Sequence, residues 1–377
     1  MSRTLELGCQ ECGSLAGECP DGRQIVYADN NAIGAGIVNH VPQLHAAPRM
    51  APGDMHQYVA PNLDRGPIAQ ALRESIAFYE DVRPEAIAFA GSGLSMLGDL
   101  PAAVGAASAV VIQNDFPGHR RAQSMHGVPI HAVPASPIAA TVCPNSVAKV
   151  VAAAPRPITL LTYPMTNPGQ AIVSEAVIDA ALDANSEGIV VVDAAYRHSL
   201  TDNSDMPIAH KATQMERLLY MNVASKDLTS CGSRLSWFVA NEPLLKTVRR
   251  ALTPYPVAPI CAQYVSWLAR RPQLVRQAHA VQRRALKVFE TGLQHLPYQV
   301  RVGPGPWAMV RLGDAASEYV ERMARDHRVL VQEQTVLPDL KGWVRLSATV
   351  PCEARRVIVA LHAVLGHETP VAALMDA

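Results

Sequence analysis

Residues 188–193 read GIVVVD, a short apolar run that ends on an aspartate. Because both faces of such a strand are apolar, both must be covered, as they are in a parallel sheet packed between helices. Six further apolar runs lie between residues 86 and 240, with stretches of helical character between them. These runs are AIAFA (86–90), SAVVIQ (108–113), PIHAVP (129–134), ITLLTYP (158–164), LLYMNV (218–223) and LSWFVA (235–240). The pattern predicts an α/β fold with a mostly parallel central sheet covered by helices.

The segments on either side of this block predict further parts of the molecule. An amphipathic helix is expected at 66–82, and a long Arg- and Ala-rich helix at about 262–292, after the break in the pattern at 254–260. Residues 297–368 combine alternating apolar runs with two helical stretches, as a smaller α+β domain does. The expected parts are an N-terminal arm at 1–40, a large domain at 41–261, and a linking helix with a small C-terminal domain at 262–377.

The composition is that of an ordinary globular protein. Apolar residues make up 49% and charged residues 18% of the 377 residues, and 33 basic residues balance 33 acidic ones. The sequence has no basic run that would attract a nucleic acid, no apolar stretch long enough to span a membrane, and no apolar core of a secretion signal. We therefore expect a cytoplasmic protein that binds neither nucleic acid nor membrane.

The cysteines are seven in number and scattered, which favours reduced thiols over a disulfide framework. Cys9, Cys12 and Cys19 form a C-x2-C followed by a third thiol, but no fourth ligand of matching spacing follows. The two interpretations of this segment are a metal site and a mobile N-terminal arm. We expect the second and no metal, and the role of these three thiols stays open.

Polar or glycine-rich residues follow five of the apolar runs, at the points where the strands are expected to end. They are Gly91-Ser92-Gly93, Asn114-Asp115-Phe116, Asn167-Pro168-Gly169, Asp193 with Tyr196, and Ser225-Lys226. The carboxyl ends of parallel strands meet at one edge of a sheet, where ligands bind. We therefore expect one cleft that contains a lysine, a carboxylate, a tyrosine, an amide, an aromatic ring and a glycine-rich turn.

This set of groups suits pyridoxal phosphate. Lys226 follows an apolar run where a solvated lysine is not expected, and a lysine amine can condense with the cofactor's aldehyde. A carboxylate such as Asp193 can face the pyridine nitrogen and keep it protonated. Phosphate requires backbone N–H groups at a helix N-terminus and a guanidinium, which Gly91-Ser92-Gly93 and Arg234 can supply.

The motifs resemble those of fold type I pyridoxal-phosphate enzymes, specifically the histidinol-phosphate aminotransferase-like branch of the class I/II aminotransferases. SKDLTSCGSR (225–234) is similar to the family's SKxxGxxGxR. The resemblance implies that Lys226 is the Schiff-base lysine and general base, and that Ser225 and Arg234 contact the cofactor. VVVDAAYRHSL (190–200) resembles D-E-A-Y, which implies that Asp193 binds the pyridine nitrogen and Tyr196 donates to the phenolic oxygen.

Three further motifs of the large domain resemble the same family. TYPMTNPGQ (162–170) resembles N-P-x-G and implies Asn167 as a second contact to the phenolic oxygen. NDFPGHRRAQSMHG (114–127) resembles P-x-Y-x-x-Y and implies that Phe116 stacks on the cofactor ring. Ser92 and Gly93 fall on the family's phosphate-binding turn.

Two more motifs concern the partner subunit and the substrate. QYVAPNLDRGPIAQALRE (57–74) resembles the N-R-Y-P-D-x…LR segment and implies that Tyr58 reaches the phosphate of the neighbouring subunit. A homodimer with composite active sites follows from that resemblance. GWVRLSATVPCEA (342–354) is similar to LRISxGxPEE, which implies that Arg345 binds the substrate α-carboxylate through a bidentate fork.

The sequence departs from the family pattern at four positions. Val223 replaces a hydroxyl that often binds phosphate, Gly169 follows Asn-Pro directly, and Ala194 is the second residue of the D-E-A-Y motif. Gln332 stands where enzymes acting on phosphorylated substrates often carry an arginine, so histidinol phosphate is not the expected substrate. These departures indicate a divergent member of the family.

Simpler explanations exist for single residues. Asp193 could cap the following helix, Phe116 could belong to an ordinary core, and Arg345 could be a solvated strand residue. His119 and His198 lie near the expected site, where histidines serve more often in hydrogen bonds than in catalysis.

The function that the resemblance implies is transamination of an amino acid in biosynthetic metabolism, with Lys226 carrying pyridoxal phosphate and the amino group passing to a 2-oxo acid. The alternative is another reaction on the same cofactor in specialised metabolism: decarboxylation, elimination or replacement, cyclisation or oxidation. Neither the substrate nor the choice between these reactions follows from the sequence, because one fold supports many functions.

Overall fold

The computed structural model describes residues 25–28, 37–47, 58–63, 65–135, 141–165, 173–199, 207–335 and 337–367. In these residues the strands, in chain order, are β1 Val26–Tyr27, β2 Ile87–Ala90, β3 Ser108–Ile112, β4 Ile130–Val133, β5 Pro157–Thr162, β6 Ile189–Asp193, β7 Leu218–Val223, β8 Ser236–Val239, β9 Gln299–Val302, β10 Trp307–Arg311, β11 Val329–Leu330, β12 Gln332–Glu333 and β13 Trp343–Ser347. The α-helices are α1 Ile37–His40, α2 Pro67–Glu80, α3 Gly93–Val104, α4 Pro117–Ser124, α5 Pro144–Ala153, α6 Glu175–Ala184, α7 Ile208–Gln214, α8 Glu242–Ala251, α9 Pro259–Ala269, α10 Pro272–Leu293, α11 Ala316–His327 and α12 Pro351–Leu365.

All seven apolar runs of the sequence form strands of one sheet, whose order is β2-β8-β7-β6-β5-β3-β4. The pairs from β7 to β4 are parallel, which confirms the predicted mostly parallel sheet. Strand β8 is the exception, because it runs antiparallel to both β2 and β7. Since β2 and β7 are both antiparallel to β8, they point the same way, and the carboxyl ends of β2, β7, β6, β5 and β3 share one edge of the sheet.

The sheet is held by a core on the face that α3 and α8 cover. Strands β3, β5 and β6 are buried along their whole length. Leu160, Val191 and Leu219 of the sheet share one apolar cluster with Met96 of α3 and Leu245 of α8. Burial of each large apolar side chain stabilises the fold by roughly 1.5–3 kcal/mol. The residues at the carboxyl ends of the strands are therefore attached to a well-packed sheet.

The chain forms two compact units. The first contains the described residues of 47–197 and 202–275 and holds the seven-stranded sheet; the second contains those of 1–46, 198–201 and 276–377. In the second unit β12, β13, β10 and β9 form an antiparallel sheet in that order, and β1 pairs in parallel with β11. Phe289 of α10, Leu346 of β13 and Leu361 of α12 share its core. This combination is the smaller α+β part that the sequence predicts.

The linking region contains two helices where the sequence predicts one. The helix expected at 262–292 consists of two helices, α9 and α10, which Arg270 and Arg271 separate. Pro272 explains the break, because a proline disfavours helical backbone in the preceding residue and suits the first turn of a new helix. The first unit ends at Val275, within α10, whereas the sequence analysis places a boundary after 261. The limits of the domains stay a prediction.

None of the helices that the structure describes is long and apolar enough to cross a membrane.

Among the described cysteines Cys143, Cys231 and Cys261 are free, whereas Cys352 is disulfide-bonded. The expectation of reduced thiols throughout is therefore wrong for Cys352, because spacing along the chain does not reveal which cysteines meet in the fold. The predicted thiol group Cys9, Cys12 and Cys19 lies outside the described residues.

Candidate active site

Asp193 is the last residue of β6, and both of its carboxylate oxygens have partners. Oδ2 lies 3.1 Å from Nε2 of His119, and Oδ1 accepts a hydrogen bond of 3.1 Å from the backbone N–H of Ala195. Both side chains are almost completely buried. The bond to Ala195 is the local turn contact that aspartates commonly make, whereas the bond to His119 crosses 74 residues of sequence. The carboxylate is thus fixed in orientation.

His119 makes the kind of hydrogen bond expected of a histidine near the site, although the sequence does not identify Asp193 as its partner. It lies in the first turn of α4, three residues after Phe116, and the two rings meet edge to face with centroids 5.4 Å apart. Phe116 is half-buried, so it is neither a fully buried core residue nor a free surface one. The F-P-G-H spacing is the signal that could have linked these residues, since side chains three apart on a helix share a face.

Lys226 and Tyr196 are brought together by the neighbouring strands β7 and β6. Asp193 pairs in register with Met221, and the N–H of Ala194 donates to the carbonyl of Met221 at 2.8 Å. The chain beyond β7 turns so that Lys226 Nζ lies 5.7 Å from the centroid of the Tyr196 ring. Tyr196 is buried, and Ser225 and Lys226 are half-buried. The predicted lysine, tyrosine and aspartate therefore come from adjacent strand ends.

The glycine-rich turn after β2 begins helix α3. Ser92 is the N-cap, and its Oγ accepts a hydrogen bond of 3.1 Å from the N–H of Ser95. A Cβ on Gly93 would lie 3.2 Å from Cγ1 of Val223, a tight contact that would require the neighbouring side chain to shift by a few tenths of an ångström. A Cβ on Gly91 would lie 3.1 Å from a backbone carbonyl and 4.0 Å from the carbonyl oxygen of Arg234. Arg234 itself is exposed and has a left-handed backbone with φ of 47°.

The remaining predicted site residues are Asn167, Tyr58 and Arg345. Asn167 lies outside the described residues. Tyr58 is 84% exposed and packs on the ring of Tyr255, with centroids 5.0 Å apart. Arg345 belongs to the second unit, where it is half-buried on β13 opposite Gln332 of β12 and donates a hydrogen bond to Gln332 Oε1. Arg345 is thus not a purely solvated strand residue.

The groups at this sheet edge fit the polar atoms of pyridoxal phosphate. A buried, fixed carboxylate suits the ring nitrogen, a half-buried amine suits the aldehyde, and a tyrosine hydroxyl suits the phenolic oxygen. The N-terminus of the twelve-residue helix α3, kept open by Gly93, suits the phosphate.

Comparison with known proteins gives matches of three kinds. Residues 51–361 match the family model described as aminotransferase class I and II. Histidinol-phosphate aminotransferase of Xanthomonas campestris pv. campestris (strain ATCC 33913) is 29% identical over 202 residues, which are 52% of this chain and 54% of that protein. The enzyme of that name from Stenotrophomonas maltophilia (strain R551-3) is 27% identical over 214 residues, 55% of this chain and 56% of that protein. The chain thus spans about half the length of the curated relatives it matches.

Solved structures resemble nearly the whole chain. A putative histidinol-phosphate aminotransferase from Erwinia carotovora atroseptica SCRI1043 superposes with a TM-score of 0.80 at 17% identity, covering 91% of this chain and 96% of that one. Histidinol-phosphate aminotransferase from Sinorhizobium meliloti in complex with pyridoxal-5'-phosphate gives 0.76 at 17% identity, covering 92% of each chain. At such identities the likeness shows the fold, which is that of the fold type I enzymes.

Proposed function

Because this chain belongs to the class I and II aminotransferase family, we propose that it is a pyridoxal-phosphate-dependent aminotransferase that moves the amino group of an amino acid to a 2-oxo acid. One observation supports this most strongly. Asp193, Tyr196 and Lys226 extend from the adjacent carboxyl ends of β6 and β7, and the lysine amine lies over the tyrosine ring at 5.7 Å from its centroid.

The proposed reaction uses pyridoxal phosphate for its aldehyde and its electron-withdrawing ring. Lys226 would hold the cofactor through its amine and would serve as the base that takes the proton of the substrate Cα. Asp193 would face the ring nitrogen and keep it protonated, and His119 and the Ala195 N–H orient that carboxylate. Tyr196 would donate a hydrogen bond to the phenolic oxygen, and Asn167 would be the second donor to that oxygen.

The phosphate is proposed to bind at the start of α3. The backbone N–H groups of Gly93 and Leu94 lie in the first turn of the helix, and the hydroxyls of Ser92 and Ser95 lie 2.9 Å apart at the same end. Arg234 would add a guanidinium and Ser225 a hydroxyl from the turn after β7. Phe116 would pack on the cofactor ring.

The substrate carboxylate is proposed to bind Arg345. Its partner Gln332 is a neutral acceptor, and the hydrogen bond between them orients the guanidinium. The same neutral residue is consistent with an amino acid that carries no phosphate.

A homodimer with composite sites is part of the proposal. The exposed rings of Tyr58 and Tyr255 form an aromatic pair on the surface of the first unit, 84% and 53% exposed. Aromatic residues are enriched where protein surfaces associate. In the proposed dimer Tyr58 reaches the phosphate bound by the other subunit.

The first experiment compares visible absorption spectra of the wild type and Lys226→Ala with added pyridoxal phosphate, and then with amino acids and histidinol phosphate one at a time. We expect a lysine-dependent band in the wild type alone, and its loss together with release of a 2-oxo acid for some substrates. Release of carbon dioxide or ammonia instead would assign the protein to another reaction on the same cofactor. Absence of any band in the wild type would overturn the proposal.

A further inference from the structure

A cluster of charged side chains adjoins the residues just described, and none of the roles above uses it. It consists of Glu80 at the end of α2, Arg197 and Asp227, and we call it the Arg197 cluster. The side chains of Glu80 and Asp227 are fully buried, and that of Arg197 is only 16% exposed. Arg197 directly follows Tyr196 in sequence, and Asp227 directly follows Lys226.

Arg197 lies at the centre of this cluster. Its Nη1 lies 2.7 Å from Oε2 of Glu80, and its Nε lies 3.8 Å from Oδ2 of Asp227. Its guanidinium also packs against two aromatic rings, 5.6 Å from the centroid of Tyr79 and 5.5 Å from that of Tyr220. One side chain therefore connects the segment after β6, the turn after β7 and the end of α2.

Neutral donors also contact both carboxylates. Trp237 Nε1 donates to Glu80 Oε1 at 2.7 Å, and the hydroxyl of Tyr220 lies 3.1 Å from Oε2. The side-chain amide of Asn222 donates to Asp227 Oδ2 at 2.7 Å and to Glu80 Oε1 at 3.2 Å. Burial of an ion cluster usually stabilises a fold no better than apolar residues of the same volume, so its presence here calls for a reason other than stability.

The geometry points to that reason: we infer that Arg197 is a positioning residue that fixes Tyr196 relative to Lys226. The backbone segments carrying these two residues are joined twice, by Lys226 against Tyr196 and by Asp227 against Arg197. Glu80 ties this second contact to α2. The inference rests on the proposed function, in which Lys226 and Tyr196 face the same group, and a misplacement of about 1 Å there costs on the order of a hundredfold in rate.

Arg217 is a matched control for Arg197. It is also a partly buried arginine, and its guanidinium donates to the backbone carbonyls of Leu182, Asn185 and Gly188 at 2.6, 2.5 and 3.2 Å. It precedes β7, at the opposite end of the strand from Lys226. Loss of Arg217 therefore removes comparable buried contacts from the same unit without touching the candidate site.

The test measures lysine reactivity in the full chain without cofactor, which contains only six lysines. The protein is treated with an acetylating reagent, and the modification rate of Lys226 is divided by that of the exposed Lys246. Arg197→Met should raise this ratio by roughly tenfold because the turn is released, Arg197→Lys should restore part of the wild-type value, and Arg217→Met should leave it unchanged. Asp227→Asn, which keeps the side-chain volume, should also raise it and serves if Arg197→Met does not fold.

A second measurement follows activity in the cofactor-loaded protein. Arg197→Met should lower kcat by roughly ten- to a hundredfold, with a much smaller change in KM. If the reactivity ratio stays at the wild-type value in both Arg197→Met and Asp227→Asn, the cluster has a structural role only and the inference is wrong. If the wild type binds no pyridoxal phosphate, the proposed function fails, while the lysine ratio still decides whether Arg197 positions the turn.

Discussion

At the scale of single residues, buried carboxylates lie both in the candidate site and in the Arg197 cluster beside it, and their surroundings differ. Asp193 has a histidine and one backbone N–H as partners. Glu80 has an arginine and several neutral donors, but burial, with a contribution from the negative charge of Asp227, raises its pKa above the ordinary value although Arg197 acts in the opposite direction. The raised pKa of Glu80 can therefore be detected in the pH dependence of the free energy of unfolding.

Glu80→Gln should make the slope of the free energy of unfolding against pH more positive in protein without cofactor, because the raised pKa gives Glu80 a negative contribution to that slope. Above the ordinary glutamate pKa of about 4.3, the unfolded chain releases a proton that folded Glu80 retains. The folded state then binds more protons, so stability falls as the pH rises through this range. Below that range both states are protonated and Glu80 makes no contribution to the slope.

The measurement is urea unfolding at closely spaced pH values. Glu74→Gln is the control, because Glu74 lies on the same helix and is exposed, with Arg270 as its ion-pair partner at 3.8 Å. The control measures how the loss of an exposed carboxylate on the same helix changes the slope. Equal slopes for Glu80→Gln and the wild type would show that the pKa of Glu80 is not raised.

At the scale of elements, alanine substitutions at two glycines of helix α3 should have different effects, one on cofactor binding and the other on the free energy of unfolding. Gly93 begins the helix, where a Cβ would press on Cγ1 of Val223 at 3.2 Å. Gly98 lies inside the helix, where a Cβ would make an ordinary contact of 3.4 Å with Nε2 of His126. Gly98→Ala should raise the free energy of unfolding by about 0.5–1 kcal/mol, because alanine loses less backbone entropy on folding.

Gly93→Ala should weaken the binding of pyridoxal phosphate by roughly tenfold, equivalent to about 1.4 kcal/mol, because the tight contact with Val223 displaces the start of α3 from the proposed phosphate position. Absorbance titration with the cofactor and urea unfolding of both variants measure the two effects. If Gly93→Ala binds pyridoxal phosphate as tightly as the wild type, the phosphate does not bind at the start of α3.

The elements also show how far the sequence predicted the fold. The seven apolar runs were sufficient to identify the strands of the large sheet. Their apolar character did not predict that β8 is antiparallel. A strand that is buried on both faces is apolar whether it runs parallel or antiparallel to its neighbours. The chain between Val223 and Ser236 contains no α-helix, and a parallel neighbour requires a crossover, usually helical. The absence of a helical pattern between these two runs was therefore the feature of the sequence that could have predicted an antiparallel β8.

The candidate site was predictable where chemistry follows directly on a strand, as at Asp193 and Lys226. Partners that approach from elsewhere were not. His119 meets Asp193 across 74 residues, and Trp237 meets Glu80 across 157. Such contacts depend on how helices and strands pack, and a single sequence holds no record of that packing.

At the scale of the whole molecule, the proposed composite site makes a prediction about mixed dimers. Tyr58→Ala and Lys226→Ala should each have little activity, because one removes a phosphate contact given to the neighbouring subunit and the other removes the amine. In a dimer with one chain of each kind, one site receives wild-type Tyr58 and wild-type Lys226 together. Unfolding and refolding the two variants as a mixture should therefore restore part of the activity.

Lys226→Ala mixed with Asp193→Asn is the control. Asp193 and Lys226 extend from neighbouring strands of one chain, so each site of such a mixed dimer contains one of the two defects and no activity should return. If the Tyr58 mixture also stays inactive while the mixed dimer forms, Tyr58 acts within its own subunit. If both mixtures regain activity, the subunits exchange more of the site than Tyr58, and the assignment of Asp193 and Lys226 to one active site would have to be abandoned.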